Sequence, residues 1–170
     1  TQELTTLKKI ADTLKPYLNE KNLFVISSDF SHYPAYKDAE IVDGLTKDSI
    51  MTGKVEAFVN ATLHNQELGI DHLATSACGM APIATLLMRT ENDANIKPHH
   101  VMYCNSGDSP YGGKDKVAGY HSFVFTTENY GFDLTSEDRK ILKSIAYHTI
   151  KATLEGKKYE PGKLSDVLLT

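Results

Sequence analysis

The sequence predicts an α/β fold on three observations. A helical stripe over residues 2–20 runs directly into a strand-like apolar run at 22–28. A second helical pattern at 77–90 is followed by a strand at 97–104. A third strand, 116–126, alternates apolar and polar side chains, and helix-then-strand order of this kind favours a layered α/β architecture.

Each element has a local reason. Leu4, Leu7, Ile10, Ala11, Leu14 and Leu18 recur at helical spacing, and Pro16 should loosen the last turn of that helix. Leu23, Phe24, Val25 and Ile26 suit a buried strand because aromatic and branched side chains fit a pleated surface. A loop at 30–37 precedes helices around 38–51 and 53–66. The first presents Ile41, Val42 and Leu45, with Gly44 as a weak point; the second presents Val55, Phe58, Val59 and Leu63. Ala77-Cys78-Gly79-Met80-Ala81-Pro82-Ile83 opens the next helix with small residues and an early proline, which permit close backbone approach. Val117, Gly119, His121, Phe123 and Phe125 should share one side of the third strand, which can lie beside the second as a hairpin. After a linker at 127–133, Thr135 caps a last helix over 134–155, with Asp138 at the capping-box position and Gly156 as its stop.

Composition narrows the class. With 170 residues, 41% hydrophobic and 24% charged, the chain can build one domain with a sizeable core or pieces of two. A net charge of −4 argues against a nucleic-acid backbone binder. Cys78 and Cys104 are isolated and lack zinc-finger spacing, which favours a reducing, cytoplasmic setting. No apolar run reaches the roughly 18 residues that span a bilayer, so no membrane partner is expected. The chain enters a helical pattern at Thr1 and stops as Val167-Leu168-Leu169-Thr170 begins an apolar segment, which suggests a fragment of a longer protein.

Chemistry concentrates in Ser27-Ser28-Asp29-Phe30-Ser31-His32-Tyr33. Side chains at the carboxyl end of a strand point into the crevice where open α/β sheets place ligands. There Asp29 can orient or charge-stabilise the His32 imidazole, a pairing used by metal ligands and by general bases. The plainer reading is a polar turn. Cys78, at a helix start, is a nucleophile candidate with His32 as base, but free cysteines are usually buried small hydrophobes. His64, His72 and His121 lack ligand spacing and read as surface or core residues. His99 and His100 are strand neighbours that face opposite sides and cannot grip one metal. Ser27 or Ser28 as a hydrolase nucleophile lacks the Gly-x-Ser-x-Gly elbow.

Taken together, Ser27-Ser28-Asp29-Phe30-Ser31-His32, Ala77-Cys78-Gly79-x-x-Pro82-Ile83, Ser106-Gly107-Asp108 and Val117-x-Gly119-Tyr120 resemble the Memo-like family, also called AmmeMemoRadiSam system protein B. The likeness covers residues 1–127 as the carboxyl-terminal half of that domain. Leu134-Thr135-x-Glu137-Asp138-x-x-x-Leu142-x-x-x-Ala146, with Ile150 and Gly156, resembles the opening helix of AmmeMemoRadiSam system protein A, so residues 128–170 are expected to begin a second domain.

The resemblance implies a three-layer α/β/α fold related to the class III extradiol dioxygenases, which use non-haem iron. Non-haem iron or copper is the expected cofactor of the full-length protein, and none is assigned to residues 1–170 alone. In that family the cleft metal site draws on two histidines of the amino-terminal half, outside this chain on the present reading, and on a later loop. Asp29 and His32 match the cleft-lining aspartate and histidine and carry over as catalytic residues, with His32 a metal-ligand candidate. In animal relatives the later loop supplies a cysteine whose position falls near Ser109 here, and serine is a poor ligand for soft or borderline metals; Asp108 either substitutes as an oxygen ligand or closes a turn. Ser28, Cys78, Asp108 and Ser109 complete the expected binding set. A small molecule or peptide is the expected cleft ligand, and a radical-SAM protein of the same system an implied partner. Two functions compete: a metal-dependent, dioxygenase-like redox enzyme, and a non-catalytic module that holds a peptide or partner in the same cleft.

Overall fold

The computed structural model describes residues 2–19, 21–127 and 135–158. The chain divides into two units, Thr1–Asn129 and Tyr130–Thr170.

In the first unit the amino-terminal stripe forms α1, Gln2–Leu14. Pro16 ends it in a 3-10 turn, Lys15–Tyr17, because its ring removes the amide that the next helical bond needs. Leu7 and the buried Ala11 turn inward, and α1 packs on α4, Met80–Thr90.

The expected strand at 22–28 does not form. The segment is extended, with Phe24 and Ile26 turned in and Leu23 (88% exposed) and Val25 (77%) turned out, so the period of two is present. A strand also needs a neighbour to take its amides and carbonyls, and no described residue pairs with this stretch. Pairing starts later. Phe30 N–H donates to the Gly119 carbonyl at 2.8 Å, and Gly119 N–H to Ser31 at 2.9 Å. Tyr33 N–H donates to Val117 at 2.7 Å, and Val117 N–H to Pro34 at 2.9 Å. On the opposite flank His32 N–H donates to Thr75 at 3.1 Å, and Ala74 N–H to His32 at 3.0 Å. The His32 backbone is therefore bonded to the Thr75 flank, while its neighbours Ser31 and Tyr33 are bonded to the Gly119 and Val117 flank.

The next two helices are α2, Tyr36–Met51, and α3, Val55–Glu67. Their buried faces differ from the expected apolar stripes. Ile41, Leu45 and Leu63 are exposed, whereas Asp43, Thr46, Ser49, Thr62 and Asn65 are buried. The reason is a hydrogen-bonded seam: Asn65 Nδ2 donates to Thr46 Oγ1 at 3.0 Å and to the Val42 carbonyl at 3.3 Å. Apolar burial continues around that seam in Phe30, Ile50, Phe58, Ala77, Ile83, Ala84 and Leu87, which form one cluster.

The remaining strands are β1, Ile96–Asn105, and β2, Gly119–Thr127, an antiparallel pair as the hairpin reading anticipated. The register shifts between His100 and Met102. Phe123 and Phe125 lean on the apolar cluster while Tyr120, Ser122 and Val124 face out, so the alternation in this strand holds. The described architecture is thus a mixed α/β one around a small sheet of two strands.

The second unit contains α5, Ser136–Leu154. Beyond it Gly156 takes φ +69°, and Lys157 N–H returns to the Ala152 carbonyl at 2.8 Å, a helix stop of the expected kind. The linker residues 128–133 and the Asp138 side chain lie outside the described residues. No described helix is long and apolar enough to cross a membrane.

Candidate functional site

Asp29 and His32 flank a buried pair, Phe30 and Ser31, which anchors the turn from beneath. Tyr33 follows with φ 72°, so the chain swings away directly after His32. The neighbouring wall is the amino end of α4. A Cβ on Gly79 would lie 2.5 Å from Ser28 Cβ, so only glycine lets this end press against the site. Gly79 N–H donates to Ser28 Oγ at 2.8 Å, Cys78 N–H to the Asp29 carbonyl at 3.1 Å, and Ser28 Oγ to that same carbonyl at 2.7 Å.

These bonds bring Cys78 to the site. Asp29 N–H donates to Cys78 Sγ at 3.2 Å, and an Asp29 carboxylate oxygen, a His32 ring nitrogen and Cys78 Sγ all lie within 4.8 Å of one another. The sequence reading of Cys78 as a buried hydrophobe fails, because its side chain is exposed. His32 Nε2 lies 3.4 Å from Asp29 Oδ2, with the two side chains 25% and 49% exposed. The approach is out of line for a hydrogen bond, and buried Nε2 is left without a hydrogen-bond partner. A buried orphan nitrogen beside a carboxylate and a thiol is what a ligand or ion would satisfy.

The other expected residues sit differently. Asp108 is tied into a 3-10 turn, Ser106–Asp108: Oδ2 accepts from Asn105 N–H at 2.8 Å and Oδ1 from the Tyr36 hydroxyl. Asn105 N–H and the Tyr36 hydroxyl hold this carboxylate below the ordinary range, the tyrosine bond having the larger effect. Ser109 is exposed and accepts from Tyr111 N–H at 3.3 Å. Asp108 is not part of the Asp29–His32–Cys78 cluster. Ser28 spends its hydroxyl on the Asp29 carbonyl, which does not activate it as a nucleophile.

Sequence reasoning missed a second set of polar groups behind the site. Asp43 is fully buried; Oδ1 accepts from Ser31 N–H at 2.8 Å, and Oδ2 from Ser31 Oγ at 3.0 Å and the Tyr103 hydroxyl at 2.9 Å. Burial raises its pKa, against the pull of those donors. His121 Nε2 meets the Asp43 carbonyl at 3.1 Å, so it carries the proton, and Nδ1 accepts from His100 Nε2 at 2.8 Å. Burial, with His100 beside it, pushes His121 down to about 4. Burial likewise lowers His100 and raises Tyr103. No signal in the sequence marked Asp43, because Ile41 and Leu45 point to a different inward face of this helix, and both are exposed. His64 and His72 are exposed, and His99, on the face opposite His100, meets Thr126.

A family model described as Memo-like protein matches residues 1–124. A MEMO1 family protein of Methanosarcina mazei is 25% identical over 126 residues, covering 72% of this chain and 44% of that protein. One from Nitrosopumilus maritimus is 25% identical over 125 residues, covering 73% and 42%. One from Desulfurococcus amylolyticus is 31% identical over 106 residues, covering 62% and 34%. The chain spans less than half the length of these relatives.

Proposed function

The chain belongs to the Memo-like protein family, and from that premise we propose that it forms part of a metal-dependent, dioxygenase-like redox protein. Its cleft is lined by Asp29, His32 and Cys78. The three-layer fold related to class III extradiol dioxygenases belongs to the same proposal. The observation that carries it is the convergence of a carboxylate oxygen, an imidazole nitrogen and a thiol within 4.8 Å.

The donor set suits the expected ion. Two ligand atoms each about 2.1 Å from a tetrahedral ion stand about 3.4 Å apart, and Asp29 Oδ2 and His32 Nε2 are 3.4 Å apart. A thiolate with an imidazole favours iron, copper or zinc over calcium or magnesium. When bound, iron or copper supplies one-electron chemistry and Lewis acidity. The residues supply the rest. Asp29 N–H donates to Cys78 Sγ and fixes its position beside the carboxylate. The carboxylate of Asp29 offers an oxygen ligand or a proton acceptor at the cleft mouth. His32, clamped by Thr75 and Ala74, offers its orphan nitrogen. A module that only holds a partner has no need of three convergent donors.

The test is metal content and Co2+ titration of the full-length protein, wild type against His32→Ala and Cys78→Ser. Stoichiometric binding weakened at least about tenfold by either change is expected. Absence of metal binding by the wild type, or binding indifferent to both changes, overturns the proposal.

A further inference from the structure

We propose that Asp43 is a positioning residue for this site: its buried carboxylate clamps Ser31 and thereby sets the spacing of Asp29 and His32 on either side. The inference rests on the metal-site reading above for its affinity readout, and on geometry alone for its structural one.

The carboxylate is out of place by ordinary packing rules. It is fully buried, and among the described residues no lysine or arginine pairs with it. Burying an unpaired carboxylate is costly unless hydrogen bonds compensate. All three of its side-chain acceptor bonds go to Ser31 and Tyr103. Two of these fix both the backbone and the side chain of Ser31, which sits one residue from His32 and two from Asp29.

The surroundings make room for it. A Cβ on Gly119 would fall inside the Asp43 carboxylate, so β2 must begin with a glycine for the group to fit. The same Gly119 accepts from Phe30 N–H at 2.8 Å and donates to Ser31 at 2.9 Å. The Asp43 carbonyl in turn receives His121 Nε2 at 3.1 Å. Helix α2, strand β2 and Tyr103 of β1 therefore converge on one residue of the site turn. A carboxylate needed only for solubility or helix capping would not be enclosed this way.

The experiment compares Asp43→Ala with Asp43→Asn in the full-length protein. Asparagine keeps an amide oxygen for Ser31 N–H, and the two hydroxyls can rotate to accept from its NH2. Two readouts apply: Co2+ affinity, and, in metal-free protein, NMR cross-peaks between His32 ring protons and the Cys78 β-protons. Asp43→Ala should weaken Co2+ binding at least about tenfold and abolish those cross-peaks. Asp43→Asn should restore the cross-peaks and recover part of the affinity. An alanine variant that melts cooperatively and keeps both readouts overturns the proposal. Where that variant fails to fold, the double change Ser31→Ala with Tyr103→Phe replaces it, since it strips both hydroxyls from a carboxylate that stays buried. The same losses are expected there, and full retention again overturns the proposal. A wild type that binds no Co2+ sinks the metal reading, while the cross-peaks still decide the role of Asp43.

Discussion

The Asp29 amide donates to Cys78 Sγ at 3.2 Å while its carboxylate lies 3.4 Å from His32 Nε2. One residue thus addresses both other members of the cluster with separate groups. Its backbone polarises the thiol and its side chain faces the imidazole, so the two contributions can be separated by substitution.

Asp29→Asn leaves the backbone contact to Cys78 and removes the anionic ligand. Co2+ affinity should fall about tenfold, with stability unchanged within about 0.5 kcal/mol because the side chain is half-exposed and packs on little. Urea unfolding beside a Co2+ titration checks this. An equal loss in both would assign Asp29 to the fold.

Asp108→Asn should leave Co2+ affinity within about twofold, since both carboxylate oxygens serve Tyr36 and the turn at Asn105. Its effect belongs elsewhere. The bond to Asp108 raises the Tyr36 pKa above 10.0, so alkaline difference spectra should show this phenol titrating at lower pH in the variant. A large loss of metal affinity would return Asp108 to the ligand set.

Much of this fold was legible in the sequence, for identifiable reasons. Helices α1, α4 and α5 and strands β1 and β2 carry their own periodicity and stop signals, such as Pro16 and Gly156. The Asp29–His32 pair was visible because both residues lie within one short turn. What escaped depends on distant contacts. The strand at 22–28 has the right alternation but no neighbour to pair with. Asp43 looks like any helix-surface aspartate until Gly119, 76 positions later in the sequence, opens a space for it. Cys78 looked like core because free cysteines are usually buried and it stands in a small-residue Ala-Cys-Gly turn, yet its own side chain is exposed at the site.

Gly119→Ala should destabilise the protein by about 2 kcal/mol or more, because the new methyl group and the Asp43 carboxylate cannot share one position. Asp43→Ala introduced alongside should relieve part of that loss, so the two changes should cost less together than their sum. Additive costs in urea denaturation would show that the clash is absorbed elsewhere.

The last prediction concerns acid. Burial holds folded His121 at about 4, below the ordinary 6.5 that it regains on unfolding. Between those values the unfolded chain binds a proton that the folded chain does not, so stability rises with pH across the window. The contribution is complete above 6.5 and is lost as pH falls toward 4. His100, also lowered by burial, acts in the same direction, whereas Asp43, raised by burial, opposes it at the acid end. With solvent screening of the part-exposed ring allowed for, His121 should account for about 1–2 kcal/mol. His121→Gln cannot titrate, so its stability, measured by urea unfolding at pH 7, 5.5 and about 4.5, should fall less steeply than that of the wild type. Parallel curves for the two proteins would mean that His121 binds its proton equally well in the folded and unfolded chain, and would overturn the burial argument.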